Sequence, residues 1–338
     1  MSSGVRRRSS VVGSASARCA VLALFLLGAC GSPPPAPAIG SVAPYVYVGG
    51  ALPALAEVSA ATGVRRFVLS FLLAAEGHCA PRWSQGRAVA DQALLAQAQQ
   101  VRDAGGALTV ASGGARGRYL EHACSTPHQL AAAYGRALSL TGADTLDVDV
   151  ERPVPVERVA SALALARQRH GVSLVVTVPV RDAETGLGSQ AQALLRALDR
   201  RDVPVTANAM IMNLPERDDW RRTLFAAAER VTSQLQRLWR LPDRSDAYAR
   251  LGLTFMAGRN DTGPVTTRAD ARALREFAAD RAVGFVGFWS LGRDNGDCPG
   301  LSTAVGHCSG IRQPVHAFTR SLAEGPRPAQ PTVGRTAP

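Results

Sequence analysis

Lysine is absent from the 338 residues: all 38 basic side chains are arginine and alanine is abundant, a pairing that reflects coding bias rather than chemistry. No Cys-x-x-Cys pair occurs, so the spacing of a common zinc site is missing. No glycine-rich phosphate loop follows any short apolar run, which argues against a nucleotide-binding fold. Aromatic residues make up only 5% of the chain, so a long binding groove paved with rings is not expected. The apolar run over residues 19–27 is too short to span a bilayer. Apolar residues reach 46% overall, ample for a packed core and too many for a disordered chain.

The formal net charge is +11. Arg6, Arg7, Arg8 and Arg18 lie in the first 29 residues, which hold no acid. Removing these four leaves 34 arginines against 27 acids, a net +7 scattered along helical patterns rather than gathered into one basic run. Solvated helix faces account for this pattern, and no nucleic-acid partner is expected.

The early arginines followed by the short apolar run have the form of an export signal. The run closes on Leu27-Gly28-Ala29-Cys30, and small residues before a cysteine suit the narrow cleft of a signal peptidase. This resembles a bacterial lipobox, which implies cleavage before Cys30 and acylation of its thiol. Buried acyl chains contribute about 0.8 kcal/mol per CH₂, so a multiply acylated Cys30 would anchor firmly. The expected organisation is a lipoprotein signal peptide over 1–29 and a stiff Pro-rich linker over 30–41. A folded domain over 42–324 and a disordered Pro-rich tail over 325–338 follow. The expected location is extracytoplasmic, lipid-anchored to the cell membrane. Cys79, Cys124, Cys298 and Cys308 then remain, an even set that suggests two disulfides in an exported protein. Three connectivities are open. Cys298 and Cys308 share a loop and are expected to pair. Cys79 would then join Cys124, linking the loops after two successive strands.

Eight short β-rich apolar runs occur, at 45–48, 67–72, 108–111, 145–150, 173–178, 207–212, 251–256 and 284–289. Seven stretches between them carry helical periodicity, such as 88–104 and 156–169, and an eighth helix is expected near 315–322. Repeated β-α units make a parallel sheet, and eight of them in about 280 residues match a (β/α)₈ TIM barrel of the α/β class. Functional sites of such barrels lie at the C-terminal ends of the strands. The fourth run places Asp147, Asp149 and Glu151 on one face and Leu146, Val148 and Val150 on the other. With the apolar face against the helices, the three carboxylates are expected in the barrel lumen. Crowding and desolvation there must raise at least one pKa, which is what a general acid requires.

Asp144, Asp147, Asp149 and Glu151 fill the D-x-x-D-x-D-x-E signature of glycoside hydrolase family 18, the chitinase family, with Thr145 where glycine is common. The resemblance extends over nearly all of 42–322. It takes in Phe71, Gly113-Gly114, the run from Asn208 through Ala209, Met210 and Ile211 to Met212, Asn260-Asp261, Phe288-Trp289-Ser290 and Arg293-Asp294. It implies a retaining glycosidase without a protein nucleophile, in which the substrate's 2-acetamido oxygen attacks the anomeric carbon. Glu151 would then protonate the leaving oxygen and later activate water. Asp149 would hold the acetamido N–H, and Asp147 would share a proton with Asp149. Trp289 would form the floor under the reacting sugar, with Asn213, Met212, Met210 and Asp144 completing the substrate-binding set.

The implied partner is a polysaccharide or oligosaccharide containing N-acetylglucosamine, such as chitin or chito-oligosaccharides. No cofactor and no metal are expected, and the chain is expected to act as a monomer. Two segments depart from the family pattern. Ala111-Ser112-Gly113-Gly114 replaces Ser-x-Gly-Gly, and Met210-Ile211-Met212-Asn213 replaces Met-x-Tyr-Asp, so Asn213 keeps a polar hook without charge and Met212 offers none. Trp83 is either an outer sugar subsite or a loop anchor near Cys79, and Trp239 belongs to a helical core. The rival reading is a catalytically silent barrel that binds N-acetylated sugars as a lectin-like surface protein.

Overall fold

The computed structural model describes residues 41–215 and 217–324. The expected signal peptide, Cys30 with its linker, and the tail from 325 onward lie outside the described residues. Eight strands form the expected parallel barrel: β1 (Ser41–Val42 continuing into Tyr45–Tyr47), β2 (Arg66–Ala74), β3 (Ala107–Gly113), β4 (Thr145–Asp149), β5 (Ser173–Pro179), β6 (Thr206–Met210), β7 (Leu251–Met256) and β8 (Phe285–Trp289). Each pairs in parallel with the next.

Closure rests on β1. Its first half pairs with β8 and its second half with β2, so one extended segment joins the two ends of the sheet. Ala43 N–H donates to Val286 O and Val68 N–H donates to Pro44 O, both at 3.0 Å. Pro44 has no N–H to offer, and the switch between partners falls on it.

The helices around the barrel are α1 (Leu55–Thr62), α2 (Gln92–Asp103), α3 (Pro127–Thr141), α4 (Val156–His170), α5 (Ser189–Asp199), α6 (Trp220–Leu238), α7 (Arg268–Asp280) and α8 (Ala317–Ala323). Local sequence sets their ends. At α3, Thr126 and Gln129 form a capping box around Pro127 in the first turn, and Gly142 takes the left-handed conformation (φ 65°) that ends the helix. Val159, Ala160, Ala162, Leu163 and Ala166 of α4 are buried at helical spacing. The outward face of β4, Leu146 and Val148, is fully buried in the same core. A second, smaller apolar cluster fills the lumen: Ala43, Tyr45, Val68, Phe71, Ala111, Val175 and Phe285. No described helix is long and apolar enough to cross a membrane.

After β2 the chain folds back as Pro81–Trp83, antiparallel to β2. This buries Trp83 to 1% exposure and removes it as a sugar subsite; it anchors the loop. Trp239 is core, as expected. Cys79 bonds to Cys124 and Cys298 to Cys308. The first bridge closes a separation of 45 residues and the second one of 10. Chain-entropy reasoning gives about 4 kcal/mol for the longer loop and about 3 for the shorter. Replacing Cys79 and Cys124 together by Ala should therefore lower the thermal midpoint more than replacing Cys298 and Cys308. Calorimetry showing the reverse order would contradict this.

Candidate active site

On β4, Asp147 and Asp149 point inward and are 1% and 2% exposed. The strand ends at Asp149, and Glu151 lies in an exposed bend beyond it. The expectation of three carboxylates enclosed in a row therefore needs correction: two are enclosed and the third stands at the rim. Val150 N–H still donates to Thr177 O at 2.8 Å. Pro153 and Pro155 then follow, and neither can extend a ladder.

Asp147 is held by one hydroxyl donor from across the lumen and one from the adjacent strand. Tyr45 Oη donates to its Oδ2 and Thr177 Oγ1 to its Oδ1, each at 2.7 Å. Behind them, Asn208 Nδ2 donates to Tyr45 Oη at 3.0 Å and to Thr177 Oγ1 at 2.9 Å. Thr254 Oγ1 in turn donates to Asn208 Oδ1 at 2.9 Å. The chain of bonds runs from β7 through β6, β5 and β1 to β4. Asp149 has no such support, and its buried Oδ1 has no hydrogen-bond partner among the described residues.

These surroundings set the proton affinities. Burial pushes Asp147 up to about 7, opposed by the bonds from Tyr45 and Thr177. Burial also raises Asp149 well above the usual carboxylate range, and repulsion from Glu151, Asp147 and Glu121 adds to it. The charged form of Asp149 is thus disfavoured, and the two aspartates titrate as one unit. Glu151 is also raised, mainly by desolvation on its protein side; Arg152 opposes this and Asp261 adds to it.

The floor beside the acids is aromatic. Trp289, half-buried at the end of β8, stacks on Phe71 with centroids 5.5 Å apart and planes at 17°. Tyr45 and Tyr47 flank Trp289 at 6.3 and 6.2 Å. Two glycines make this approach possible. A Cβ on Gly113 (φ 99°) would lie 2.1 Å from Asp149 O, and one on Gly114 (φ 85°) would lie 2.7 Å from the Phe71 ring.

The remaining expected residues divide. Met210 lies on the inward face of β6, two residues above Asn208, and Met212 is half-buried just past that strand. Asn213 is not an open polar hook. Its Nδ2 donates to Asp261 Oδ2 at 2.8 Å, and its Oδ1 accepts from Asp261 N–H at 2.8 Å, while Asn260 Oδ1 accepts its backbone N–H at 2.9 Å. Asn213 thus ties the loop after β6 to the loop after β7. Asp144 precedes β4 at the opposite end of the barrel and lies 3.8 Å from Arg66 at the start of β2. It does not join the site, so its expected substrate role does not hold. Arg293 and Asp294 are structural. Arg293 donates to Ala257 O and Arg259 O, and Asp294 accepts from Phe318 and Thr319 N–H at the start of α8. Cys298, Cys308 and His307 lie close together, but both cysteines belong to the disulfide and are not thiolate ligands.

Sequence patterning does not single out Tyr45, Thr177 and Thr254; of the three, only Thr254 stands as a lone polar residue in its strand.

No model of a known protein family matches the chain. It is 26% identical over 307 residues to a protein of Escherichia coli named "Probable bifunctional chitinase/lysozyme", covering 83% of this chain and 34% of that protein. It is also 26% identical over 277 residues to "Endochitinase 11" of Metarhizium anisopliae, covering 75% of this chain and 52% of the other. The matches thus span about a third and about half of these relatives' lengths. Among solved structures, the catalytic domain of a hyperthermophilic chitinase from Pyrococcus furiosus superposes with a TM-score of 0.78 at 27% identity, over 86% of this chain and 96% of that one. Similarity to chitinases thus runs through both sequence and fold, and it supports a glycoside hydrolase.

The raised Asp147 has a measurable consequence. Its ordinary value is 3.8 and its folded value is about 7. Between these the folded protein binds more protons than the unfolded chain, so this group's contribution falls as pH rises through that window. Asp147→Asn should lose part of the decline in thermal midpoint between pH 4 and pH 7. An unchanged slope in thermal unfolding would show that Asp147 is not the titrating group.

Proposed function

We propose that the protein hydrolyses β-1,4-linked N-acetylglucosamine polymers, chitin or chito-oligosaccharides, by a retaining, substrate-assisted route. The observation that carries this reading is the buried Asp149, whose Oδ1 has no hydrogen-bond partner among the described residues, between the fully bonded Asp147 and the rim acid Glu151. Glu151 donates its proton to the leaving glycosidic oxygen and then takes one from the incoming water. Asp149 turns its carboxyl to accept the acetamido N–H and passes its own proton to Asp147, so that a carboxylate faces the oxazolinium-like intermediate as it forms. Trp289 supports the apolar face of the reacting sugar. The export-signal pattern and the cysteine at position 30 support a membrane-anchored, extracytoplasmic setting for this activity. The chitinase names of the relatives support the substrate class.

One observation favours the lectin-like alternative: just past β6, Met212 and Asn213 offer neither phenol nor carboxylate, and Asn213 is committed to Asp261. Turnover of chitotetraose separates the two readings. Glu151→Gln should reduce kcat by at least about 100-fold while sugar binding persists. NMR of the first product should show retained β configuration. Inverted product would rule out acetamido participation, and a wild-type protein that binds but does not turn over would leave the lectin.

A further inference from the structure

Glu151 lies two residues past the end of β4, where no ladder holds it. Its backbone N–H donates to Tyr119 Oη at 3.2 Å, and that hydroxyl donates to Gly114 O at 2.7 Å. One phenol thus joins the residue proposed as acid to the glycine turn that packs against Asp149 and Phe71. The ring is 1% exposed and cannot swing away. Arg152 lies over its face at 4.2 Å and donates to Gly117 O at 2.6 Å, which closes the loop after β3 onto the bend after β4. That loop is itself fastened. Ala74 N–H donates to Arg118 O at 2.8 Å, and Cys124, just past the helical turn Leu120–Ala123, is bonded to Cys79.

We infer that Tyr119 is a positioning residue for Glu151: its hydroxyl fixes the backbone of the acid relative to the aspartate pair. This rests on the proposed hydrolase reading. The tether matters most where proton donation is demanding, because a small misplacement of an acid lowers the rate of a step that needs its proton. A sugar leaving group needs that proton, and a dinitrophenolate does not. Loss of the tether should therefore separate the two kinds of substrate, whereas general loosening of the barrel would not.

The test is Tyr119→Phe, which keeps the ring and its stack with Arg152 and removes only the hydroxyl. On chitotetraose kcat should fall roughly tenfold with KM within about twofold, while dinitrophenyl chitobioside should change by less than about twofold. Equal losses on both substrates, or an unchanged kcat on chitotetraose, would overturn the inference. Failure of the variant to fold would make Tyr119 a fold element and overturn it as well. A wild-type protein that cleaves neither substrate would overturn the hydrolase reading and this inference together; an active wild type with an indifferent variant would overturn this inference alone.

Discussion

Two carboxyl groups share the inside of a barrel whose other contents are largely apolar, and only one of them is solvated by the protein. Asp147 receives two hydroxyl donors, backed by Asn208 and Thr254, so five strands contribute to holding a single side chain. Asp149 receives none on its buried oxygen. Burying an ionised carboxylate without partners is so unfavourable that the group takes up a proton instead. The donor network around one aspartate, and its absence around the other, thus biases the proton toward Asp149. Neither arrangement helps the fold: an apolar lumen would be as well packed without this repulsion. The asymmetry is what a proton-sharing pair needs, with one member anchored and the other left to meet a ligand.

The rim is built on a different principle. Inside the barrel, position follows from strand register; above it, each residue needs its own fastening. Gly113 and Gly114 permit the backbone of β3 to touch Asp149 and the ring of Phe71. Phe71 then supports Trp289. Asn213 and Asp261 bind two loops reciprocally, and Arg293 holds carbonyls beyond β7 from its buried position. Glu151 belongs to this layer, which explains why its carboxyl is both accessible and raised in proton affinity. Solvent reaches one side, while desolvation acts from the other.

The eight-fold alternation of strands and helices was legible because period-two and period-3.6 patterns dominate the chain. The inward turn of Asp147 and Asp149 followed from Leu146 and Val148 needing the helices. Other features depended on contacts far apart in sequence. The lumen network joins Tyr45 to Asn208 across 163 residues, and no local pattern reports such a meeting. Alternation alone carried Glu151 into the lumen because it does not mark where a strand stops; the following prolines did. Asp144 fitted a spacing, yet spacing is blind to which end of a strand faces the site. Asn213 illustrates the same gap: a polar side chain at a familiar position carries no sign that a neighbouring loop has already claimed it.

The departures at the end of β6 place a constraint on the proposed chemistry. With Met212 lacking a hydroxyl and Asn213 bonded to Asp261, the rim of β6 leaves little polarity for orienting an acetamido group. Orientation then falls on residues two strands away on either side, the carboxyl of Asp149 at the end of β4 and the ring of Trp289 at the end of β8. A single hydrogen bond set against one aromatic plane defines a small site around the reacting sugar. Burial of Trp83 removes it as an extension of that site. A short cleft acting on loose or soluble chains is the form of the proposed activity that such a site supports.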